Sequence, residues 1–139
     1  MQPSTKITLL LAENDAEVRS RLQSFLNHAG YAVVVAHSHE QILWTVAQEL
    51  IDLVLLGSAF ASTPALAFCA ELRHISAAPI VILAKLQHPD DPMIAFYLGV
   101  ADYIAMPVHY TLLLAHITAV LRRRRKGMLR HQRWRLLPA

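Results

Sequence analysis

The chain has 139 residues, enough for one domain with a real core. Apolar residues make up 55% of it and the mean hydropathy is +0.35, which raises the question of a membrane span. Two stretches, 53–70 and 103–121, lack Asp, Glu, Lys and Arg; Gly57, Ser58, Ser62, Thr63 and Pro64 break up the first, Met106-Pro107 and His109 the second. The longest periodic apolar segment left is about 12 residues, short of the ~20 a spanning helix needs.

Polar residues at the start and charge from Lys6 onward predict no signal peptide. The single Cys69 excludes an internal disulfide and fits a reducing, cytoplasmic setting. Charge is divided unevenly. Residues 1–121 carry all ten acids and five of the thirteen bases, a net −5, whereas residues 122–139 carry the other eight bases and no acid, a net +8. The pI of 9.4 therefore belongs to the tail, and the body is acidic.

Taken in order, Lys6–Ala12 reads as a buried strand. Asp15 is a natural N-cap for a helix whose apolar positions, Val18, Leu22, Phe25, Leu26 and Ala29, recur at helical spacing. Gly30 ends that helix, and Tyr31–Ala36 is a second strand. Ser38 and Gln41 form a capping box for a helix through Ile42, Leu43, Val46 and Leu50. The run at 52–56, closed by Gly57, reads as a strand buried on both faces. Ser62-Thr63-Pro64 opens a helix to about Ile75, Pro79–Ala84 is a fourth strand, Asp91-Pro92 starts a short helix ending at Gly99, and Asp102–Ala105 is a fifth strand. Residues 109–126 form the last helix.

Five β–α units with short buried strands require right-handed crossovers and a parallel sheet. The predicted fold is a three-layer, flavodoxin-like α/β domain over residues 1–126, strand order 2-1-3-4-5, with a basic tail or linker over 127–139. Ligands in such sheets bind beyond the carboxyl ends of the strands. The candidate site is therefore Glu13, Asn14, Asp15, Gly57, Ser58, Ala84, Lys85 and Met106. It excludes nucleotide readings, because the first loop carries carboxylates and the four glycines are scattered, with no phosphate-cradling loop among them.

The stretches LLLAENDAEVRSRL, AGYAVVVA, DLVLLG, PIVILAK, LGVADYIAMP and LLLAHITAVLRR, in this order, resemble the response-regulator receiver domain of two-component systems over residues 6–124. The final stretch is most similar to receivers of the winged-helix transcription-factor branch. The resemblance implies an acidic pair after strand 1, a phosphoacceptor aspartate ending strand 3, a Thr or Ser ending strand 4 and a Lys-Pro after strand 5. This chain has Glu13-Asn14, Gly57, Ala84 and Met106-Pro107 at those places. Glycine cannot form an acyl phosphate, and one remaining carboxylate, Glu13, is a poor start for a Mg²⁺ site. Met106 removes the cation that would have paired with the aspartate, so the losses are mutually consistent.

The resemblance, with these losses, implies a pseudo-receiver: a non-enzymatic module of phosphorelay-type signalling that acts through protein contact, with no cofactor and no resident metal. The alternative is the N-terminal regulatory half of a DNA-binding transcriptional regulator, or nucleic-acid contact through Arg122, Arg123, Arg124, Arg125 and Lys126. The interface implied is the face of the fourth helix, fifth strand and fifth helix, carrying Phe96, Asp102, Tyr103, Pro107, Leu112 and His116. It predicts a homodimer or heterodimer. Glu13 reads as a solvated loop carboxylate and as the lone candidate cation ligand, Asp15 as a cap, Cys69 as a core thiol, and Met106-Pro107 as a cis bond.

Overall fold

The computed structural model describes residues 6–57, 60, 63–85, 99–107 and 109–136, with the backbone alone for 63–67, 85 and 125–136. In chain order the elements are β1 (Thr8–Ala12), α1 (Ala16–His28), β2 (Ala32–Val35), α2 (His39–Gln48), β3 (Leu53–Gly57), α3 (Thr63–Ile75), β4 (Ile80–Lys85), β5 (Asp102–Met106) and α4 (Tyr110–Leu136). The short helix expected after Pro92, and Phe96 with it, lies outside the described residues.

Apolar runs without alternation make strands covered on both sides. All four strand pairs are parallel, in the order β2-β1-β3-β4-β5. Because successive side chains point to opposite faces, the sheet builds two cores. Leu10, Val54, Leu56, Ile80 and Ile82 meet Ile42 of α2 and Phe68, Cys69 and Leu72 of α3. Leu9, Leu11, Leu53, Leu55, Val81, Leu83 and Ile104 meet Leu22 and Leu26 of α1 and Leu113, Ile117 and Val120 of α4.

Helix boundaries follow their caps. Asp15 Oδ1 accepts from the backbone N–H of Glu17 and Val18, at 3.0 and 3.1 Å. At the far end of α1, Tyr31 N donates to Leu26 O and Gly30 N to Asn27 O, with Gly30 at φ +101°. This Schellman arrangement needs a left-handed residue, which glycine supplies without a Cβ clash. Ser38 Oγ accepts from Gln41 N, as the capping box predicts, but Gln41 Oε1 takes its return bond from His37 N, one residue before the cap.

The last helix corrects the sequence reading. It does not stop at Lys126 but runs ten residues further, through Gly127, to Leu136. At the end of the sheet opposite the candidate site, Asp52 fixes its first half. Asp52 Oδ2 accepts from Thr8 N at 2.8 Å, and Asp52 O accepts from Arg124 Nη1 at 3.0 Å. Arg124, grouped by sequence with residues free to meet nucleic acid, is therefore held by its own domain.

Cys69 is a core thiol, fully buried in α3. Burial pushes its pKa up from 9.0 to about 11, with Arg73 pulling weakly the other way. A thiol whose folded pKa exceeds its unfolded one stabilises fully below pH 9 and loses that contribution as pH rises through about 11. Two pKa units amount to about 3 kcal/mol. We expect the stability gap between the protein and Cys69→Ala, from urea titrations at pH 8 and pH 11, to shrink by an amount of that order. A gap independent of pH contradicts this account.

Candidate functional site

The site is built where β1, β3, β4 and β5 end together. The register sets Ala12 beside Leu56, Gly57 beside Leu83, Ala84 beside Ala105 and Lys85 beside Met106. The positions singled out from sequence, Glu13, Gly57, Ala84 and Met106, therefore share one edge of the sheet. Ala84 is buried and Met106 half-buried, packed against the α1/α4 core. The bond between Met106 and Pro107 is cis, as expected. Ser58 lies outside the described residues, and the Lys85 side chain is likewise not described.

Glu13 departs from expectation. It is not a solvated loop carboxylate: only 6% of its surface is exposed. The parallel register puts the residue after Ala12 next to the residue after Leu56, so Glu13 and Gly57 are neighbours across two strands. Because residue 57 has no side chain, the Glu13 carboxylate lies over it. A Cβ built on Gly57 would overlap Glu13 Oε2 and stand 3.1 Å from Ala12 O. Asp15 N donates to Glu13 Oε1 at 3.3 Å, and Arg19 Nη1 donates to Glu13 O at 2.9 Å, which holds the loop in place. Among the described residues no cation pairs with this carboxylate.

These residues do not fit a divalent cation. Mg²⁺ asks for near-octahedral oxygen ligands, usually including one or two carboxylates. Here one carboxylate is turned onto Gly57, Gly57 itself offers no side-chain oxygen, and Asn14 is an amide. Among the described residues no three His, Cys, Asp or Glu side chains converge as a metal cluster. His39, half of a His-x-His pair with chelating spacing, has its Nε2 3.2 Å from Phe60 O and packs on the rings of Phe60 and Phe68.

The second candidate region is the face of β5 and α4. Asp102 Oδ1 accepts from Tyr103 N, and Asp102 Oδ2 lies 2.8 Å from His116 Nδ1. Asp102 is thus engaged within its own protomer. Tyr103 is half-buried, packed against the α2/α3 core. On the outer side of α4, Thr111, Leu114, Ala115, Thr118, Ala119 and Arg122 line a shallow groove of about 420 Å³, and Leu112 stands 50% exposed. Sequence reasoning missed Asp52 and Arg73 as tethers, since Asp52 reaches Thr8 and Arg73 reaches Gly99, backbone groups far along the chain that only the fold brings near.

A five-stranded parallel sheet in the order 2-1-3-4-5, with an acidic first loop and a cis proline after β5, defines a receiver-type signalling fold. The chain belongs to the response regulator receiver domain family, whose model matches residues 9–118. It is 32% identical over 115 residues to the transcriptional regulatory protein CpxR of Klebsiella pneumoniae, covering 83% of this chain and 49% of that protein. Among solved structures, the receiver domain of Klebsiella pneumoniae RstA is 28% identical with a TM-score of 0.74, covering 83% of this chain and 98% of that one. A CheY-like receiver from Methanospirillum hungatei has a TM-score of 0.80 at 17% identity, covering 88% and 99%. The chain spans about half the length of the curated relatives it matches. No helix among the described residues is long and apolar enough to cross a membrane.

Proposed function

We propose that this chain is a pseudo-receiver, a cytoplasmic module of two-component signalling that works through protein contact without being phosphorylated. One observation carries the reading: the position of a phosphoacceptor is Gly57, and the Glu13 carboxylate lies over it. Ala84 and Met106, at the neighbouring strand ends, support it by supplying neither a hydroxyl nor a cation. Its working surface is the β5–α4 face with the segment before β5, through which it forms a homodimer or a heterodimer. With Asp102 engaged by His116 in the same protomer, recognition there rests on apolar burial around Leu112, at roughly 25 cal/mol per Å². Exposed ion pairs of about 0–1 kcal/mol each would add little to it.

A second reading rests on the comparisons. Most of the matched relatives are named as transcriptional regulators or transcriptional regulatory proteins, and they are about twice as long as the matched region. In that reading this chain is the N-terminal regulatory half of a DNA-binding regulator, with residues 127–139 leading toward the effector.

The first reading predicts that acetyl phosphate with Mg²⁺ leaves the intact mass unchanged. It also predicts that sedimentation velocity shows the same self-association before and after treatment, lost in Leu112→Glu. A base-labile gain of one phosphoryl group would sink the idea. So would a dimer that forms only after treatment.

A further inference from the structure

The second half of α4 combines a continuous helix with a charge pattern that the receiver reading leaves unused. No acid follows Asp102, so none of the bases from Arg122 onward has an acidic neighbour on its own helix. At about 100° per residue, Arg122, Lys126, Arg130 and Arg133 fall on one stripe, with Arg123 at its border. Their spacing puts a positive group roughly every 5–6 Å along about 16 Å of helix. Like charges at i and i+4 oppose a helix, and isolated helices of this length are marginal in water. Asp52 accounts for Arg124 alone. The stripe therefore calls for an external polyanion.

The sequence around the helix selects which polyanion. A surface helix that lies in a lipid interface needs a broad apolar side. Opposite the stripe stand Arg124, Met128, His131 and Arg135, while Leu129 and Leu136 flank the stripe itself, so no side of the helix is broadly apolar. Single-stranded nucleic acid is held by successive aromatic platforms, and Trp134 is the one aromatic residue beyond Tyr110. A duplex presents one phosphate charge per about 1.7 Å of axis and asks only for a row of bases. No Asn lies on the stripe, and its one amide neighbour on the helix, Gln132, is on the other side, so nothing there is arranged to read base edges.

We propose that residues 122–136 of α4 form a contact for the phosphate backbone of duplex nucleic acid, without base specificity. The acidic body, net −5, confines the contact to this helix. The contact is independent of phosphorylation and of the Leu112 face, and its test uses residues outside both. Binding of the full chain to two unrelated fluorescent duplexes is measured by anisotropy between about 50 and 200 mM KCl, where non-specific complexes have micromolar to submillimolar Kd.

The expected result is equal affinity for both duplexes within about threefold, with a log–log salt slope of about −3 to −5. In Lys126→Gln/Arg130→Gln/Arg133→Gln, the slope should fall in magnitude by about 3 and the affinity by tenfold or more at low salt, as three phosphate contacts are lost. Circular dichroism at the same salt checks that the variant keeps its fold, and a triple variant that loses the body's signal is replaced by the Lys126→Gln/Arg130→Gln pair. No duplex binding at low salt would overturn the proposal, as would an unchanged slope in the variant. Tighter binding to vesicles containing phosphatidylserine than to duplex would overturn it in favour of a membrane surface.

Discussion

Gly57→Ala is expected to destabilise the domain by about 1–3 kcal/mol, the usual cost of forcing extra atoms into a packed site. The sign runs against backbone propensity, since alanine is ordinarily better than glycine inside a strand by roughly 0.5–1 kcal/mol. It follows from the space around Gly57, where an added Cβ overlaps Glu13 Oε2 and stands 3.1 Å from Ala12 O. The Ala12 carbonyl need give only a few tenths of an ångström, whereas the Glu13 carboxylate, 6% exposed, must leave the space it fills. Removing Glu13 should therefore recover most of the loss. In a cycle of Gly57→Ala, Glu13→Ala and the double variant, urea unfolding should give a coupling of about 1–2 kcal/mol. Strict additivity would mean that Glu13 does not fill the space. Gly57→Asp should be worse than alanine, because it adds a second carboxylate beside a buried one.

The loss at position 57 is legible in the sequence, because a strand-like run of apolar residues ends in a residue with no functional group. The use made of that loss is not. That Glu13 turns inward depends on β1 lying beside β3, with Ala12 opposite Leu56, a register that no local pattern contains. Read locally, a carboxylate in a loop next to an Asn and an Asp belongs in water, and its neighbour Asp15 does cap α1. The strands and the caps were readable for the opposite reason: each follows from periodicity or from residues within a turn of one another. The end of α4 failed on a matter of degree. A glycine inside a helix costs only about 1 kcal/mol, so Gly127 weakens the helix without stopping it, and the next proline is Pro138.

Arg73→Met is expected to cost about 2–4 kcal/mol, lowering the melting temperature by roughly 10 °C in a domain of this size. Arg73 stands in the last turn of α3, and its guanidinium gathers three carbonyls from two connections. Nη1 donates to Ala78 O at 3.0 Å and to Ser76 O at 3.4 Å, and Nη2 donates to Gly99 O at 3.1 Å. The first two acceptors lie in the segment leading into β4, the third in the one leading into β5. One side chain thus joins the entrances of the two strands whose far ends carry Ala84 and Met106. Burial lowers its pKa, and Cys69 acts against that shift. Methionine keeps the apolar stem but strips the donors, leaving three carbonyls to find water in a partly closed corner. Lysine is the informative comparison. A single ammonium lacks the planar fork that spans both segments, so Arg73→Lys should restore less than half of the lost stability. If lysine restores all of it, charge alone is at work and the two entrances are not held together by the fork.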